Sequence, residues 1–457
     1  MKYFTKKIHL VGIGGAGMSP LAEVLQHHGH TITGSDRARS NASTRLESIG
    51  IKVQYNHVPE LVENADLLVY SSAVREDNPE RVYARERGIP SIRRADLLGE
   101  LMRQHFTICI SGTHGKTTTT SLIGSILHDA GTEPTVLVGG MLRSKDSHAV
   151  VGTSNVMVAE ADEYDRSFLV MYPSMAIITN IEADHLDCYG NLENIKDAFV
   201  QFSKRVPFYG ALVVCKDDPG VRELLPLFER TIITYGITED ADYKAVNITF
   251  SAGISSFTVQ KNKKVLGSVN LNIPGRHNVL NALGSIALAN ELGIPFASIA
   301  KTLSEFQGVR RRFEIIGVEK GVTVIDDYAH HPGEIRATLD AARTGKFKRV
   351  IAVFQPHLYT RTRDFMDDFA SNLAVADVIY ITDIYKAREE PIPGVSSEVI
   401  AEKISASGKT SVHYVPSKEN IISQIASDYR DGDAVVVMGA GDIWEIAPVL
   451  LGKIKNG

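Results

Sequence analysis

Apolar residues fall along this chain in short continuous runs, and between the runs they recur at helical spacing. Runs at 7–13, 30–35 and 66–71 read as strands, with helices over 19–28 and 79–87 between them. Alternation of this kind predicts a parallel sheet covered by helices. The pattern restarts with a strand at 106–111 and a helix at 116–130, followed by strands at 155–160, 175–180 and 211–214. Over 243–271 the period shortens to alternate residues with polar turns, which predicts an antiparallel insert or edge, and a helix over 278–292 closes the block. A third alternation has strands at 322–326, 349–354, 378–382 and 434–438. Boundaries near Gln104 and Val309 then divide the chain into consecutive α/β domains over 1–104, 105–309 and 310–457.

Composition agrees with this division. A length of 457 residues suits about three domains, and 44% hydrophobic with 23% charged residues lets each bury a core. A net charge of −5 argues against a nucleic-acid partner, which needs a broad basic face, but leaves room for a local phosphate site. Cys109, Cys188 and Cys215 form no disulfide framework and have no metal-ligand spacing, so each reads as a small buried residue in a reducing compartment. Lys2, Lys6 and Lys7 ahead of residues 8–18 resemble the start of a signal peptide, but Gly and His interrupt the apolar stretch, which reads better as a strand entering a turn. No apolar run approaches the roughly 18 residues of a membrane span. The chain is expected to be soluble and cytoplasmic, with no membrane partner.

Two loops have the chemistry of phosphate binding. Gly112, Thr113, His114, Gly115, Lys116, Thr117 and Thr118 stand between a predicted strand and a predicted helix. Glycines there let backbone N–H groups approach phosphate oxygens, and the helix N-terminus adds its dipole. A lysine reaches the terminal phosphates, and a threonine hydroxyl coordinates magnesium. The full P-loop pattern has one more glycine, at the position of Ile110. The second loop, with Gly12, Gly14, Gly15 and Gly17, satisfies G-x-G-x-x-G after the first strand, and Asp36 closes the second strand. That geometry serves any pyrophosphate, so the motif leaves both NAD and a UDP-linked substrate open.

Acids cluster at the ends of two further strands: Glu160, Asp162 and Glu163, then Glu182, Asp184 and Asp187 around His185. Carboxyl ends of parallel strands converge on the ligand crevice, so these acids can complete a magnesium shell. Taken singly, each reads as a helix cap. The phosphate loop with residues 160–163 and 180–189 resembles the central domain of the Mur ligases. Within that family, residues 12–19 and 326–332 are most similar to the members that join L-alanine to UDP-N-acetylmuramate in peptidoglycan precursor synthesis.

The resemblance implies a Rossmann-like N-terminal domain for the UDP substrate, a P-loop ATPase domain, and a Rossmann-like C-terminal domain that binds the amino acid and closes. It implies ATP and Mg2+ as cofactors, and a monomer or weak homodimer. Lys116 would contact the β- and γ-phosphates, and Thr117, Glu160 and His185 would hold magnesium. Asn278 and Asn281 would contact the nucleotide, while Arg312 and Asp327 would sit near the phosphate and hinge. Gly12, Gly14, Gly15, Gly17, Asp36 and Ser71 would hold the UDP substrate; His330, His357 and Arg361 would bind the substrate carboxylate or the alanine. Without the family pattern, Arg310–Arg312 would read as solvated surface and the two asparagines as helix caps. Gly439–Asp442 fits a tight strand-to-helix loop facing the same cleft, with Trp444 packed beside it. One departure stands out: several relatives carry a carbamylated lysine, bridging to a second magnesium, where this chain has Phe199. The activity so implied is carboxylate activation as an acyl phosphate, followed by attack of the alanine amine. A sibling ligase for another amino acid or a peptide is the nearer alternative. An NAD-dependent oxidoreductase would leave the Gly-Lys-Thr loop unused.

Overall fold

The structure is a computed structural model that describes residues 5–142, 147–251, 253–345, 347–387, 389–406, 408 and 410–456; Lys2 lies outside them. The chain divides into two compact units. The first comprises Met1–Lys244, Val259–Gly267 and Leu280–Thr302, the second Ala245–Thr258, Ser268–Val279 and Leu303–Gly457.

The first unit opens with a five-stranded sheet in the order Lys52–Gln54, Thr31–Ser35, Lys7–Val11, Leu67–Tyr70, Ser91–Arg93. Every pairing in it is parallel. The order reverses beside the central strand Lys7–Val11, and the crevice at such a reversal is where open α/β sheets bind ligands. The glycine-rich loop leaves that strand directly into the helix Ser19–His27, which buries Leu21, Val24 and Leu25 at helical spacing.

A second sheet in this unit runs Thr231–Gly236, Ala211–Cys215, Met175–Ile178, Phe106–Ser111, Val156–Glu160, Thr135–Leu142, Ser147–Val150. It is parallel except for its last pair. Ile108, Ile110, Val158, Ala159, Ile177 and Ile178 are fully buried, because helices cover both faces of a parallel sheet. The strand order reverses again beside Phe106–Ser111, and the phosphate loop leaves that strand for the helix Lys116–Asp129. Over 243–271 the chain forms three consecutive strands, Tyr243–Ser251, Ile254–Lys261 and Lys264–Leu271. Asn262 and Lys263, at φ +47° and +67°, give the turn between the last two the I′ form of a tight antiparallel hairpin.

In the second unit a six-stranded sheet runs Glu314–Glu319, Val322–Asp327, Asp433–Met438, Arg349–Phe354, Val378–Ile381, Ser411–Tyr414. Only the edge strand Glu314–Glu319 is antiparallel to its neighbour. The strands Val322–Asp327 and Asp433–Met438 are buried along their whole length, including the carboxylates Asp326 and Asp327.

Two readings from composition change. Cys109 and Cys215 are buried, but Cys188 is partly exposed, because it lies on the four-residue helix Leu186–Tyr189 rather than in a strand. Trp444 is not packed away: it is 42% exposed, with the Arg311 guanidinium 5.8 Å from its ring. Among the described residues, no helix is long and apolar enough to cross a membrane.

Phe199 has a clear structural role. The helix Leu192–Ser203 buries Ile195, Ala198, Phe199 and Phe202 along one face. The Phe199 ring meets Phe168 edge to face at 5.2 Å, and Phe202 stacks on Phe168 at 4.9 Å. The position that bears a lysine in several relatives is therefore core here. Phe199→Ala is expected to cost about 3–5 kcal/mol of stability by opening a cavity in this aromatic cluster. Denaturant unfolding measures the loss, and a loss below about 1 kcal/mol would contradict the packing role.

Candidate active site

The phosphate loop depends on two glycines for reasons of conformation and space. Gly112 has φ +133°, and a Cβ there would collide with Thr179 Oγ1. Gly115 has φ +83°, and a Cβ there would meet Asn281 Oδ1 at 2.5 Å. The loop is then pinned by the segment that follows the strand Met175–Ile178. Thr113 N donates to Asn180 O (3.0 Å) and His114 N to Asn180 Oδ1 (2.8 Å). His114 O accepts from Asn180 Nδ2 (3.0 Å) and Thr179 Oγ1 (2.6 Å), and Glu182 N donates to Thr113 Oγ1 (2.9 Å). Asn180 thus fixes the loop through both ends of its amide. Sequence reasoning quoted this residue without giving it a role. Ile110, where the full motif has glycine, is simply the buried penultimate residue of the strand.

Lys116 opens the helix, and its ammonium donates to Gly112 O (2.7 Å), Thr113 O (3.2 Å) and both oxygens of Glu163 (3.0 and 2.8 Å). Burial pushes the Glu163 carboxyl up to about 7, against the pull of the Lys116 cation. Burial also acts to lower Lys116, but the carboxylates of Glu163 and Asp162 outweigh it and hold the ammonium above its ordinary value. Tyr189 Oη donates to Glu163 O (2.6 Å), fixing that residue's backbone.

The two acidic segments do converge, through Asp162, Glu163 and His185, whose ligand atoms all lie within 4.8 Å of one another. His185 has φ +52°, with Nε2 3.7 Å from both Glu163 Oε1 and Asp184 Oδ2. Glu160 is not one of these three; it accepts from Gly139 N at 2.7 Å, and its charge acts on Lys116. Thr117 is buried at the head of the helix. Two carboxylates and one imidazole can hold a divalent cation, and further oxygens would suit a hard one. Asn281 faces the loop at Gly115, whereas the Asn278 amide donates to Pro274 O (2.7 Å) as a local helix-start bond.

The crevice of the first sheet is a cavity of about 670 Å³ whose walls include Gly12, Gly14, Gly15, Asp36 and Ser71. Gly17 is not among them; it gives room instead to the Arg94 side chain, which lies 3.1 Å from where a Cβ would be. Asp36 Oδ2 accepts from Gly14 N (2.8 Å), so this acid braces the loop. Sequence reasoning missed the cavity's cations, Arg37, Arg39 and Arg75, which suit a diphosphate. They lie in connecting segments with no motif to mark them. His57 also lines the cavity, with Nδ1 3.0 Å from Ser35 Oγ and 3.5 Å from the buried Glu80.

The second unit gathers the remaining predicted residues around the ends of its central strands. Asp327 accepts from Phe313 N (2.7 Å) and Ala329 N (2.8 Å), bracing the turn that carries Arg311 and Phe313 at φ +59° and +48°. Burial raises the Asp327 carboxyl, against the pull of Arg312 and of these backbone N–H groups. Burial pushes Asp326 up to about 7, opposed by Arg311 3.5 Å away. Arg312 reaches Glu334 Oε1 at 3.4 Å and lies 5.3 Å from the Tyr328 ring.

His330 Nδ1 lies 2.9 Å from Tyr328 O. A carbonyl can only accept, so this nitrogen carries the proton. Glu334 Oε2 supports it from 3.2 Å, serving His330 with one oxygen and Arg312 with the other. The His330 and His357 rings are 6.1 Å apart, and His357 stacks on Tyr385 at 5.6 Å. Arg361 is buried on the helix Tyr359–Asp364, which follows His357. A Cβ on Gly441 would meet the Tyr385 ring at 2.6 Å, so the Gly439–Asp442 loop packs directly against it. Gln355 Nε2 holds that loop through Asp442 Oδ1 (2.9 Å). Glu334, Gln355 and Tyr385 were not visible as site residues in the sequence; each is recognised only by what it touches.

Comparison with known proteins follows the same order along the chain. Residues 7–106 match the Mur ligase family catalytic domain, residues 110–289 the Mur ligase middle domain, and residues 311–441 the Mur ligase glutamate ligase domain. The chain is 47% identical over 453 residues to the UDP-N-acetylmuramate–L-alanine ligase of Salinibacter ruber, covering 99% of this chain and 95% of that one. It is 45% identical over 451 residues to the ligase of the same name from Geotalea uraniireducens, with 99% and 98% covered. Among solved structures, it is similar to the UDP-N-acetylmuramate-alanine ligase of Thermotoga maritima, with 31% identity, a TM-score of 0.82, and 98% and 99% of the two chains covered. The murein peptide ligase of Psychrobacter arcticus is a further likeness, at 29% identity and a TM-score of 0.72, with 99% of each chain covered. Three consecutive α/β domains, a lysine-bearing phosphate loop and this end-to-end likeness place the chain in the Mur ligase family.

Proposed function

We propose that this protein joins L-alanine to the carboxylate of UDP-N-acetylmuramate, converting ATP to ADP and phosphate, as a step of peptidoglycan precursor synthesis. The observation that carries this reading is the pinned phosphate loop with Lys116 at its helix, in a chain 45–47% identical from end to end to ligases of that name. Residues 1–104 bind the UDP substrate, 105–309 bind ATP, and 310–457 bind the amino acid and close. The protein works in the cytoplasm as a monomer or weak homodimer.

The chemistry follows from a simple obstacle: a carboxylate has no leaving group. One of its oxygens attacks the γ-phosphorus of ATP, ADP departs, and an acyl phosphate remains. The alanine amine attacks the acyl carbon, and phosphate leaves as the amide forms. Catalysis of such a transfer is chiefly positioning and charge stabilisation. Lys116 and the backbone N–H groups of Gly112–Thr118 that Asn180 does not occupy, those other than Thr113 and His114, hold the β- and γ-phosphates. Thr117, Glu160 and His185 would hold magnesium, with Asp162 and Glu163 close enough to His185 to share in the task. Magnesium, when bound, supplies positive charge to the phosphate oxygens. Gly12, Gly14, Gly15, Asp36 and Ser71, with the three arginines of the same cavity, hold the UDP moiety. The likeness along the whole chain to UDP-N-acetylmuramate–L-alanine ligases favours this over NAD. His330, His357 and Arg361 bind carboxylate, Arg312 balances phosphate charge, and Asp327 positions the turn that carries Arg312.

Phosphate release with ATP, magnesium and UDP-N-acetylmuramate is expected to require an amino acid and to be fastest with L-alanine. A pocket sized for one methyl group rejects leucine and glutamate sterically but gains only about 1–3 kcal/mol over glycine, so glycine is used measurably. Preference for a peptide beginning with alanine would move the protein to the peptide-ligase branch. Lys116→Ala is expected to lower turnover on the order of 10²–10³-fold with the fold intact by circular dichroism. Turnover within tenfold of the parent would remove Lys116 from the mechanism.

A further inference from the structure

A lysine ammonium has three N–H donors and accepts nothing. Lys116 commits them to three partners of the protein itself: Gly112 O, Thr113 O and the carboxylate of Glu163. Two of these are backbone carbonyls of the phosphate loop, whose place is set by Asn180 and Thr179. The third belongs to a side chain only 3% exposed, and it meets the ammonium with both oxygens. A phosphate oxygen that reaches Lys116 must therefore take a donor from one of them. Glu163 is the partner that a phosphate can replace in kind, anion for anion. Its release would also leave a bare carboxylate beside Asp162 and His185.

We propose that Glu163 competes with the nucleotide's terminal phosphates for Lys116, and that its displacement couples nucleotide binding to cation binding at Asp162 and His185. Glu163 is thus a positioning residue: it orders the lysine and surrenders it to phosphate, and the displaced carboxylate is then best stabilised by a divalent cation. This inference rests on the ATP-binding reading above.

The test is the affinity of the full-length protein for ATP by titration calorimetry, in EDTA and then in Mg2+, for the parent, Glu163→Gln, Lys116→Met and the double variant. Without cation, Glu163→Gln is expected to bind ATP about tenfold more tightly than the parent, the scale of one charge-assisted hydrogen bond. Mg2+ should then improve ATP affinity less in Glu163→Gln than in the parent. In the Lys116→Met background, Glu163→Gln should bring no gain, since the competition has no object. Glu163→Asp, which withdraws the carboxylate by one methylene, should fall between parent and Gln and serves if Glu163→Gln does not fold. Unchanged or weaker binding of ATP by the Glu163 variants would overturn the proposal. An equal gain with Met at position 116 would also overturn it, by reducing Glu163 to simple repulsion of phosphate. If ATP binds none of the proteins, parent included, the ATP-binding reading fails first.

Discussion

The second sheet of the first unit delivers its loop under one constraint: the backbone between Phe106–Ser111 and Lys116–Asp129 must be held in a fixed shape with no side chains in its way. Gly112 and Gly115 meet half of that demand by left-handed φ and the absence of a Cβ. The other half comes from Thr179–Glu182, which leaves the adjacent strand and hydrogen-bonds the loop at Thr113 and His114. A parallel sheet delivers both segments to the same edge, so the fold and the site are consequences of one strand order.

Charge is the second consequence. Gathering Asp162, Glu163 and His185 next to Lys116 places several ionisable groups around one buried carboxylate, that of Glu163. A buried charge is tolerable only when paired, and Lys116 with Glu163 satisfies that rule within the protein. On the competition proposed above, binding has to rearrange this pair, which is how a site can be ordered and still responsive. In the second unit the carboxylate of Asp327 meets the same rule differently: two backbone N–H groups hold it, and in return it shapes the turn before Glu314–Glu319.

The large architecture was legible because long buried strands and glycine loops are local features. The runs at 106–111, 175–180 and 434–438, and the loops after Val11 and Ser111, stand nearly where periodicity and glycine placement put them. Strands of three residues, such as Lys52–Gln54 and Ser91–Arg93, carry too little pattern to be read. The edge strand Glu314–Glu319 is half polar and lies in a segment that looks solvated. Site residues divide by the same principle. Lys116 and the glycines announce themselves by neighbours in sequence. Asn180, Glu334 and Tyr385 matter through contacts made across the fold, and Arg37, Arg39 and Arg75 through sharing one cavity. Phe199 was visible as a departure from the family, but its reason, a ring packed edge to face on Phe168, is three-dimensional.

The central claim is that a carboxylate oxygen of the UDP substrate becomes bonded to the γ-phosphorus. UDP-N-acetylmuramate labelled with ¹⁸O in its carboxylate tests it directly, with the released phosphate analysed by mass spectrometry after ligation of L-alanine. Activation as an acyl phosphate predicts one ¹⁸O in each phosphate released. Phosphate free of label, with both heavy oxygens accounted for elsewhere, would contradict the account.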